Sequence, residues 1–263
     1  MRALMDGRQE FLQWLKRKRL AYTTTETSSS FAVIYKGGKV FFCDGARWQG
    51  RQFQLLKALR ERAALVVAAG LVAPTPPRVE YFALDRRKFK AERGREIALE
   101  IDLRAAYPTA AYRLGILNRD LYARLKAEPK EHRTKLLGAL AVRRDISRFD
   151  TLGRRIDRKT EYDPAGVATW RTICAAVGND LLDCSRADAG FLAFWVDNYW
   201  TTTTTKTTTK LAEKYELKSH VDEITWRRIE HSFLILNAAR GRQFTLPLHA
   251  RFNDDARRQR KSN

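Results

Sequence analysis

Apolar residues fill the odd-numbered positions from 97 to 103, and this period of two predicts a strand with one buried face. The opposite face of that strand carries Glu100 and Asp102, so we expect the two carboxylates to point the same way. Pro108 follows and biases Tyr107 away from the helical region, although a helix could begin there with proline at its first position, so a sharp turn into 109–117 is predicted. Carboxylates at the end of a buried strand are a common setting for metal-assisted chemistry.

Periodicity and turn residues predict a mixture of helices and hairpins along the rest of the chain. Helices are predicted over 7–20, 48–69, 118–127, 131–144 and 163–182. Hairpins are predicted over 31–43 and 231–246, and strands over 79–84 and 191–196. Residues 23–30 are predicted to form a linker or loop, 85–94 an exposed loop or hairpin tip, and 144–160 a hairpin or loop. The threonine-rich segment 201–209 favours extended structure. Prolines at 74, 76 and 77 mark the main boundary in the chain.

Composition and charge narrow the class of partner. The chain has 263 residues, 44% of them hydrophobic, with a net charge of +20 and a pI near 10.2. The hydrophobic content is enough to form a core. The excess of Lys and Arg indicates that the partner is a polyanion or an anionic membrane, and nucleic acid is preferred. The longest apolar run, 63–73, is too short to cross a bilayer, and no signal-peptide pattern begins the chain, which predicts a soluble cytoplasmic protein without membrane contact.

Two clusters of cations are the candidate phosphate contacts. Lys16, Arg17, Lys18 and Arg19 end the first predicted helix, and Arg86, Arg87 and Lys88 lie in the predicted loop over 85–94. A run of cations at a helix C-terminus also fits a solvated helix end that complements the helix dipole. Both interpretations stay open for residues 16–19.

The segment from Asp102 to Pro108 resembles motif A of family B DNA polymerases, especially those of the protein-primed and phage branch. That motif reads Asp, a few variable residues, a small residue and Tyr-Pro, as Asp102, Ala106 and Tyr107-Pro108 do here. The resemblance implies that Asp102 binds the catalytic metal ions and that Tyr107 packs under the sugar of the incoming nucleotide and excludes its 2′-hydroxyl. Arg104, inside the motif, is a further nucleotide-binding candidate.

The helix predicted over 131–144 is similar to the family's motif B, in which a Lys is followed after three residues by Asn-Ser-x-Tyr-Gly. Lys135 keeps the lysine, which the resemblance implies neutralises the triphosphate. Ala139 stands at the Asn position, and Val142 and Arg143 stand where the family has Tyr-Gly. Taken alone, Lys135 also fits the solvated side of an amphipathic helix.

The apolar strand over 191–196 delivers Asp197 to a turn, similar to the family segment that leads into motif C, Tyr-x-Asp-Thr-Asp-Ser. If Asp197 takes the first Asp position, Tyr199 replaces the second, metal-binding one; if the register slips by two, Asp197 is itself that residue. The resemblance implies that Asp102 and Asp197 are catalytic and hold Mg²⁺ in an active enzyme. Glu100, on the same face as Asp102, is a third candidate metal ligand.

Together these features imply an α+β fold. A palm-like antiparallel sheet with helices on one face would span 79–250, with a two-helix fingers-like insertion at about 118–144. Residues 211–217 resemble the helix that packs under the palm in the family, which implies a helix there. A small N-terminal α/β region of helix, hairpin and helix would span 1–78, and 251–263 would form a basic tail. The 3′–5′ exonuclease domain of most such polymerases does not fit into residues 1–78.

Three function classes follow. The favoured one is a nucleic-acid-binding protein on a degenerate palm, encoded by a virus or mobile element and acting in the host cytoplasm or a virion, with DNA as partner and RNA as an alternative. There, Trp195, Tyr199 and Trp200 are candidates to stack on unpaired bases. The second class is a minimal polymerase or primase using two-metal nucleotidyl transfer, which the departures at Ala139 and Tyr199 disfavour. The third is an unrelated α+β RNA-binding protein.

Overall fold

The computed structural model of the chain describes residues 2–27, 30–43, 50–85, 87–89, 91–202 and 206–247. The protein has the α+β class that its sequence predicts, and this described part contains seven α-helices and two antiparallel sheets. The chain divides into two compact units. Unit 1 comprises residues 1–76 and 127–170, and unit 2 comprises residues 77–126 and 171–263.

Helices and strands follow one another in a mixed order. The helices are α1 (Arg2–Arg17), α2 (Gly50–Ala68), α3 (Ala106–Arg113), α4 (Arg119–Ala127), α5 (Lys130–Gly138), α6 (Pro164–Ala187) and α7 (Lys206–Lys214). The strands are β1 (Tyr22–Glu26), β2 (Ser30–Tyr35), β3 (Gly38–Cys43), β4 (Phe82–Leu84), β5 (Arg93–Arg104), β6 (Arg144–Phe149), β7 (Arg155–Glu161), β8 (Phe191–Trp195), β9 (Asn198–Thr201), β10 (Glu216–Ile229), β11 (Ser232–Asn237) and β12 (Arg242–Pro247).

Unit 1 is built on a five-stranded antiparallel sheet with the order β3-β2-β1-β6-β7. The hairpin predicted over 31–43 forms β2 and β3, and the charged segment 144–160 forms the hairpin of β6 and β7. One face of the sheet packs against α1 in a core that includes Leu15, Tyr22 and Phe31. The apolar side of the amphipathic α1 therefore has its partner in this sheet.

Strand β1 lies at the centre of this sheet, although the sequence predicts a loop over 23–30. It pairs with β2 on one side and with β6 on the other, so both neighbours supply its backbone hydrogen bonds. Tyr22 and Thr24 are buried, and β-branched threonines are well suited to a pleated strand. The loop prediction is wrong because this segment is polar and shows no clear alternation, whereas its pairing with β2 and β6 makes it a strand.

Unit 2 is built on a seven-stranded antiparallel sheet with the order β12-β11-β10-β5-β9-β8-β4. The strand predicted over 97–103 forms part of β5, which pairs along its whole length with β10. The prediction that its odd-numbered positions form the single buried face is wrong in part, because Ile97 is exposed whereas Ala98 and Glu100 on the opposite face are buried. The edge strands β4 and β12 also approach each other, so the sheet curls around an apolar inner face. Trp200, Trp226 and Phe233 belong to that inner core. Gly94 is required there, because a Cβ at this position would collide with the Trp226 ring.

Helices α3, α6 and α7 are joined through one carboxylate, Asp180 of α6, which is almost completely buried. It accepts hydrogen bonds from Arg113 Nη1 at 2.9 Å, Lys214 Nζ at 2.5 Å and Tyr215 Oη at 2.6 Å. Burial by itself raises the pKa of Asp180, but the hydrogen bonds from Lys214, Tyr215 and Arg113 outweigh it and leave the pKa lowered. Unit 2 therefore stabilises the charged form of this residue.

The segment between residues 201 and 229 differs most from its prediction. Helix α7 begins at Lys206, inside the threonine-rich segment that was expected to be extended, and it ends at Lys214. Leu217, predicted as the end of that helix, lies in β10, a strand of 14 residues for which the sequence makes no prediction. Polar residues occupy both faces of β10, so alternation is lost and pairing with β5 and β11 defines the strand.

The predicted fingers-like helices fall in different units, since α4 belongs to unit 2 and α5 to unit 1. The units therefore do not group them as a single insertion. The first break between units lies between Pro76 and Pro77, within the proline-rich segment. Residues 251–263, the predicted basic tail, lie outside the described residues. No helix of the described part has both the length and the apolar character needed to cross a lipid bilayer.

Replacing Asp180 with Asn should lower the free energy of unfolding by about 3 kcal/mol, because it removes the buried counter-charge of two cations. Chemical denaturation of the full chain measures this change. Asp183→Asn is the matched control, because Asp183 lies on the same helix in an exposed pair with Arg186. Its effect should stay below about 0.5 kcal/mol. Equal losses in the two variants would contradict the role of Asp180.

The loss in Asp180→Asn should also depend on pH. The folded pKa of Asp180 lies below its ordinary value of 3.8, so its stabilisation is fully present above that value and is lost as pH falls through the folded pKa. The difference in unfolding free energy between wild type and variant should therefore be constant at neutral pH and shrink on acidification. A difference that grew as the pH fell would have the wrong sign.

Candidate functional site

Asp102 lies near the end of β5, on the inner face of the curled sheet. Its neighbours across the sheet are Asn198 on β9 and Lys218 on β10. Residues directly opposite each other in antiparallel strands project to the same face, so this end of the inner face is polar. Glu100, two residues earlier in β5, shares the face with Asp102, as the alternation predicts.

Asp197 lies in the two-residue turn between β8 and β9, and the sheet brings this turn beside the end of β5. The backbone N–H of Leu103 donates a hydrogen bond to the carbonyl of Asp197 at 3.0 Å. Val196, the first residue of the turn, has a φ of 59°, which is costly for a β-branched side chain. Its N–H donates to the carbonyl of Tyr81 at 2.6 Å, which holds the turn in place. The segments that resemble motifs A and C are therefore neighbours in the sheet.

Tyr107 lies in the first turn of α3, which follows β5 directly. The chain reverses at Ala105, whose φ of 50° is left-handed. The side chain of Tyr107 is buried, and this burial raises the pKa of its hydroxyl; the negative charge of Asp197 raises it further. The hydroxyl of Tyr107 therefore stays protonated and lies in the same region as the turn that carries Asp197.

Glu100 has a structural role in the inner face, where only 2% of its side chain is exposed. Its Oε1 accepts a hydrogen bond from Arg242 Nη1 at 2.7 Å, and its Oε2 accepts one from Asn237 Nδ2 at 3.1 Å. Both carboxylate oxygens are thus engaged by side chains of β11 and β12. This arrangement does not favour the prediction that Glu100 is a metal ligand.

The fit of this region to Mg²⁺ is limited. Among the residues that the structure describes, no group of three or more His, Cys, Asp or Glu side chains is placed to hold a metal ion. With Glu100 engaged, the region offers the carboxylates of Asp102 and Asp197, whereas Mg²⁺ demands near-octahedral coordination by oxygen. The side chains of this region therefore do not form a complete metal site by themselves.

The predicted nucleotide contacts Arg104 and Lys135 lie in different units. Arg104, at the end of β5 in unit 2, donates from Nη1 to Glu216 Oε1 at 2.7 Å in an exposed ion pair. Lys135 lies on α5 of unit 1, where its side chain is exposed. The predicted nucleotide site is therefore not gathered within one unit.

The predicted basic loop before β5 is only partly described, because Arg86 lies outside the described residues. Arg87 donates from Nε to Asp85 Oδ1 at 3.0 Å and from Nη2 to Asp85 Oδ2 at 2.8 Å. These hydrogen bonds, followed by the charge of Asp85, raise the pKa of Arg87. Arg87 thus neutralises a buried carboxylate, whereas Lys88 is exposed.

The predicted cations at residues 16–19 lie at the C-terminal end of α1, where backbone hydrogen bonds cap the helix. The N–H of Leu20 donates to the carbonyl of Leu15, and the N–H of Arg19 donates to that of Lys16, both at 3.0 Å. This is the Schellman pattern, and Arg19 takes the left-handed conformation that it requires, with a φ of 50°. Leu20 packs against the same core as Leu15. The four side chains exposed at this end are Lys16, Arg17, Lys18 and Arg19.

The turn between β6 and β7 lies against the same helix end. Asp150 begins the turn, and its Oδ1 accepts hydrogen bonds from the N–H of Leu152 at 2.9 Å and of Arg154 at 2.8 Å. Gly153 has a φ of 72°, and the stem of Lys16 lies over it, because a Cβ at Gly153 would come within 2.5 Å of Lys16 Cε. The left-handed backbone conformation at this position favours glycine.

This contact places the exposed cations at the end of α1 beside a turn that is followed by two further exposed cations. We call these six residues the basic corner: Lys16, Arg17, Lys18, Arg19, Arg154 and Arg155. None of the six forms an ion pair with a carboxylate in the described part of the chain. Sequence reasoning missed Arg154 and Arg155. The Asp-x-x-Gly turn signal before them could have located a basic hairpin tip, but not its contact with Lys16.

The aromatic residues predicted to stack on bases belong to the core of unit 2. Tyr199 and Trp200 are fully buried, and Tyr199 Oη donates a hydrogen bond to Asp188 Oδ2 at 2.9 Å. Trp195 stacks on Phe82 with ring centroids 5.6 Å apart. The stacking prediction is wrong for Tyr199 and Trp200, because a base could reach these rings only if the sheet opened.

Comparison with protein-family models gives no match, and comparisons with curated proteins and with solved structures give none either. The resemblance to family B polymerases therefore stays a hypothesis that rests on the residues around Asp102 and Asp197. Any proposal about function has to be argued from charge and geometry.

Replacing Glu100 with Gln should lower the free energy of unfolding by about 2 kcal/mol, because hydrogen bonds to a charged group contribute roughly 1.5–3 kcal/mol. Urea denaturation measures this loss. The affinity for Mn²⁺, measured by calorimetry, should stay at the wild-type value, because both oxygens of Glu100 already accept hydrogen bonds.

Glu96→Gln is the control for this experiment, because Glu96 lies on the same strand and face but is exposed. Its stability should change by less than about 0.5 kcal/mol. Unchanged stability together with lost Mn²⁺ affinity in Glu100→Gln would restore Glu100 as a metal ligand.

Proposed function

We propose that this chain is a nucleic-acid-binding protein that holds the phosphate backbone without reading sequence, with DNA as its main partner and RNA as an alternative. The observation that carries this proposal is the basic corner of unit 1. Six neighbouring cations without a carboxylate partner repel one another. Binding of phosphates removes that repulsion and releases the condensed counterions of the nucleic acid, so association is favoured.

Stabilisation of the helix does not account for the whole basic corner. Cations in the last turn of α1 interact favourably with the helix dipole, but each contributes only about 0.3–1 kcal/mol and the effect is confined to that turn. Arg154 and Arg155 lie on a hairpin, outside the helix, and they add charge beside the same helix end. Two different elements thus supply one cationic surface, as expected of a site for a polyanion.

The net charge of +20 extends the proposal to the whole chain, since it favours association with any polyanion. We further propose that the scaffold is a degenerate palm of the family B type, encoded by a virus or mobile element. What supports the palm is that the segments resembling motifs A and C are neighbours in the sheet of unit 2. The host cytoplasm or a virion would be the place of action.

The triple variant Arg17→Gln, Lys18→Gln, Arg154→Gln should weaken binding to a short duplex of mixed sequence. Affinity measured by fluorescence anisotropy over a range of salt concentrations should fall with salt, and the slope of log K against log salt should decrease by about 0.9 for each phosphate that the variant no longer neutralises. A duplex of unrelated sequence should behave in the same way, because interactions with phosphates carry no sequence information.

The matched control is Lys57→Gln, Arg78→Gln, Arg186→Gln, which removes the same charge from cations that already have surface ion-pair partners. Its affinity and salt slope should stay near the wild-type values. An equal loss in both triple variants would mean that net charge, and not the basic corner, carries binding. A wild-type chain that binds neither duplex nor single strand at low salt would overturn the proposal.

Nucleotidyl transfer is the second candidate function, and one observation favours it: the hydrogen bond from Leu103 to Asp197 joins the two predicted catalytic segments. It predicts that the wild type extends a primed DNA template with Mg²⁺ or Mn²⁺ and that Asp102→Asn abolishes extension. Asp120→Asn, at an exposed position of α4, should leave extension intact. Our main proposal predicts no extension by any of the three proteins, so extension by the wild type that is lost in Asp102→Asn would favour the second candidate.

A further inference from the structure

We propose that Tyr112 and Tyr122 of unit 2 form a stacking site for an unpaired base of a nucleic-acid strand. This inference rests on the nucleic-acid binding proposed above and adds to it a contribution specific to single strands. Tyr199 and Trp200, which the sequence suggests for base stacking, are buried in the core. A stacking site therefore requires rings that are exposed.

The connection between α3 and α4 brings the two tyrosines together. Helix α3 ends one residue after Tyr112, and Gly115 reverses the chain with a left-handed φ of 71°. Asn118 then caps α4, because its Oδ1 accepts a hydrogen bond from the N–H of Leu121 at 2.9 Å. The rings of Tyr112 and Tyr122 lie with centroids 4.6 Å apart and planes inclined by 14°. This is the geometry of a stacked aromatic pair.

One end of this stack faces solvent. Tyr112 is 42% exposed, whereas Tyr122 is half-buried. Two other tyrosines of the described part are comparably exposed, Tyr81 and Tyr162, but neither is held in a stacked pair there. Tyr112 is therefore an exposed ring whose orientation is fixed in advance, which lowers the entropic cost of adding a further ring to the stack.

Cations flank the aromatic pair along α4. Arg119 lies three residues before Tyr122 and Lys126 four residues after it, so all three side chains share one face of the helix. Lys126 Nζ lies 5.9 Å from the centroid of the Tyr122 ring. Arg119 is exposed and forms no ion pair with a carboxylate in the described part of unit 2. Cations beside an aromatic face match the combination of phosphate neutralisation and base stacking that single-strand binders use.

The ligand class follows from which nucleic acids expose base faces. In a duplex each base is covered above and below by its neighbours, so a surface tyrosine reaches a base face only after unstacking, which costs energy. In a single strand every base offers an accessible π-face, and stacking tolerates all four bases. The site therefore adds affinity for unpaired strands without adding sequence preference.

The test uses the full chain with two probes, a single-stranded oligonucleotide that carries one 2-aminopurine and the duplex of the same sequence. Tyr112→Ala should weaken binding of the single strand about tenfold and leave binding of the duplex unchanged. Tyr112→Phe keeps the ring and should bind like the wild type. Fluorescence of 2-aminopurine, which stacking quenches, should fall on binding to the wild type and to Tyr112→Phe and fall less with Tyr112→Ala.

Tyr162→Ala removes an exposed tyrosine of unit 1 and should change neither affinity nor quenching. Wild-type single-strand affinity and quenching in Tyr112→Ala, or equal losses for single strand and duplex, would overturn the stacking site while nucleic-acid binding stands. If Tyr112→Ala unfolds, as circular dichroism would show, Tyr112→Leu replaces it, because leucine keeps apolar bulk without an aromatic face; it should lose the same affinity and quenching, and wild-type values would overturn the stacking site. A wild type that binds neither probe at low salt would overturn both proposals.

Discussion

The ion pair between the buried carboxylate of Glu100 and the partly exposed guanidinium of Arg242 is the interaction on which we expect the architecture of unit 2 to depend. Strand β5, which carries Glu100, lies in the middle of the seven-stranded sheet, whereas β12, which carries Arg242, forms its edge. Their side chains meet because the sheet curls. A carboxylate that is only 2% exposed is too costly to bury without a hydrogen-bonded counter-charge. The stable sheet is therefore the curled one that brings Arg242 and Asn237 to Glu100.

The same network engages a second acidic residue of unit 2 in structural contacts. Asn237 also donates a hydrogen bond to Asp222, which in turn accepts one from Arg240 Nε at 2.7 Å. The hydrogen bonds from Asn237 and then Arg240 lower the pKa of Asp222. These contacts join the end of the β11–β12 hairpin to β10 and β5. The polar end of the inner face is thus a set of paired groups, beside which Asp102 lies near the end of β5.

The surfaces proposed to bind nucleic acid lie outside both cores. The basic corner depends on the helix end at Leu15 and on the turn at Gly153, which hold the cations without burying them. The tyrosine pair likewise lies at a short connection between two helices, with Tyr112 exposed. Exposed cations need no counter-charge from the protein, because water and salt screen them until phosphates bind. The sheets supply rigidity, and the helix ends and turns carry the residues that we propose contact nucleic acid.

The sequence by itself determined the elements whose burial pattern lies in their own residues, such as the β2–β3 hairpin, α1 and α6. For the strand at 97–103 it predicted the element but not its buried face, because Ile97 is exposed whereas Ala98 and Glu100 on the opposite face are buried. It also determined the net charge and the cations at 16–19. Only the tertiary structure decided the strands β1 and β10, the partners of Glu100, the contact between Lys16 and Gly153, and which aromatic rings are exposed. The physical reason is that the hydrophobic pattern of a segment reflects the burial of its own side chains. Hydrogen bonds between strands and close contacts depend instead on which distant segment lies alongside, and the pattern of one segment does not identify that neighbour.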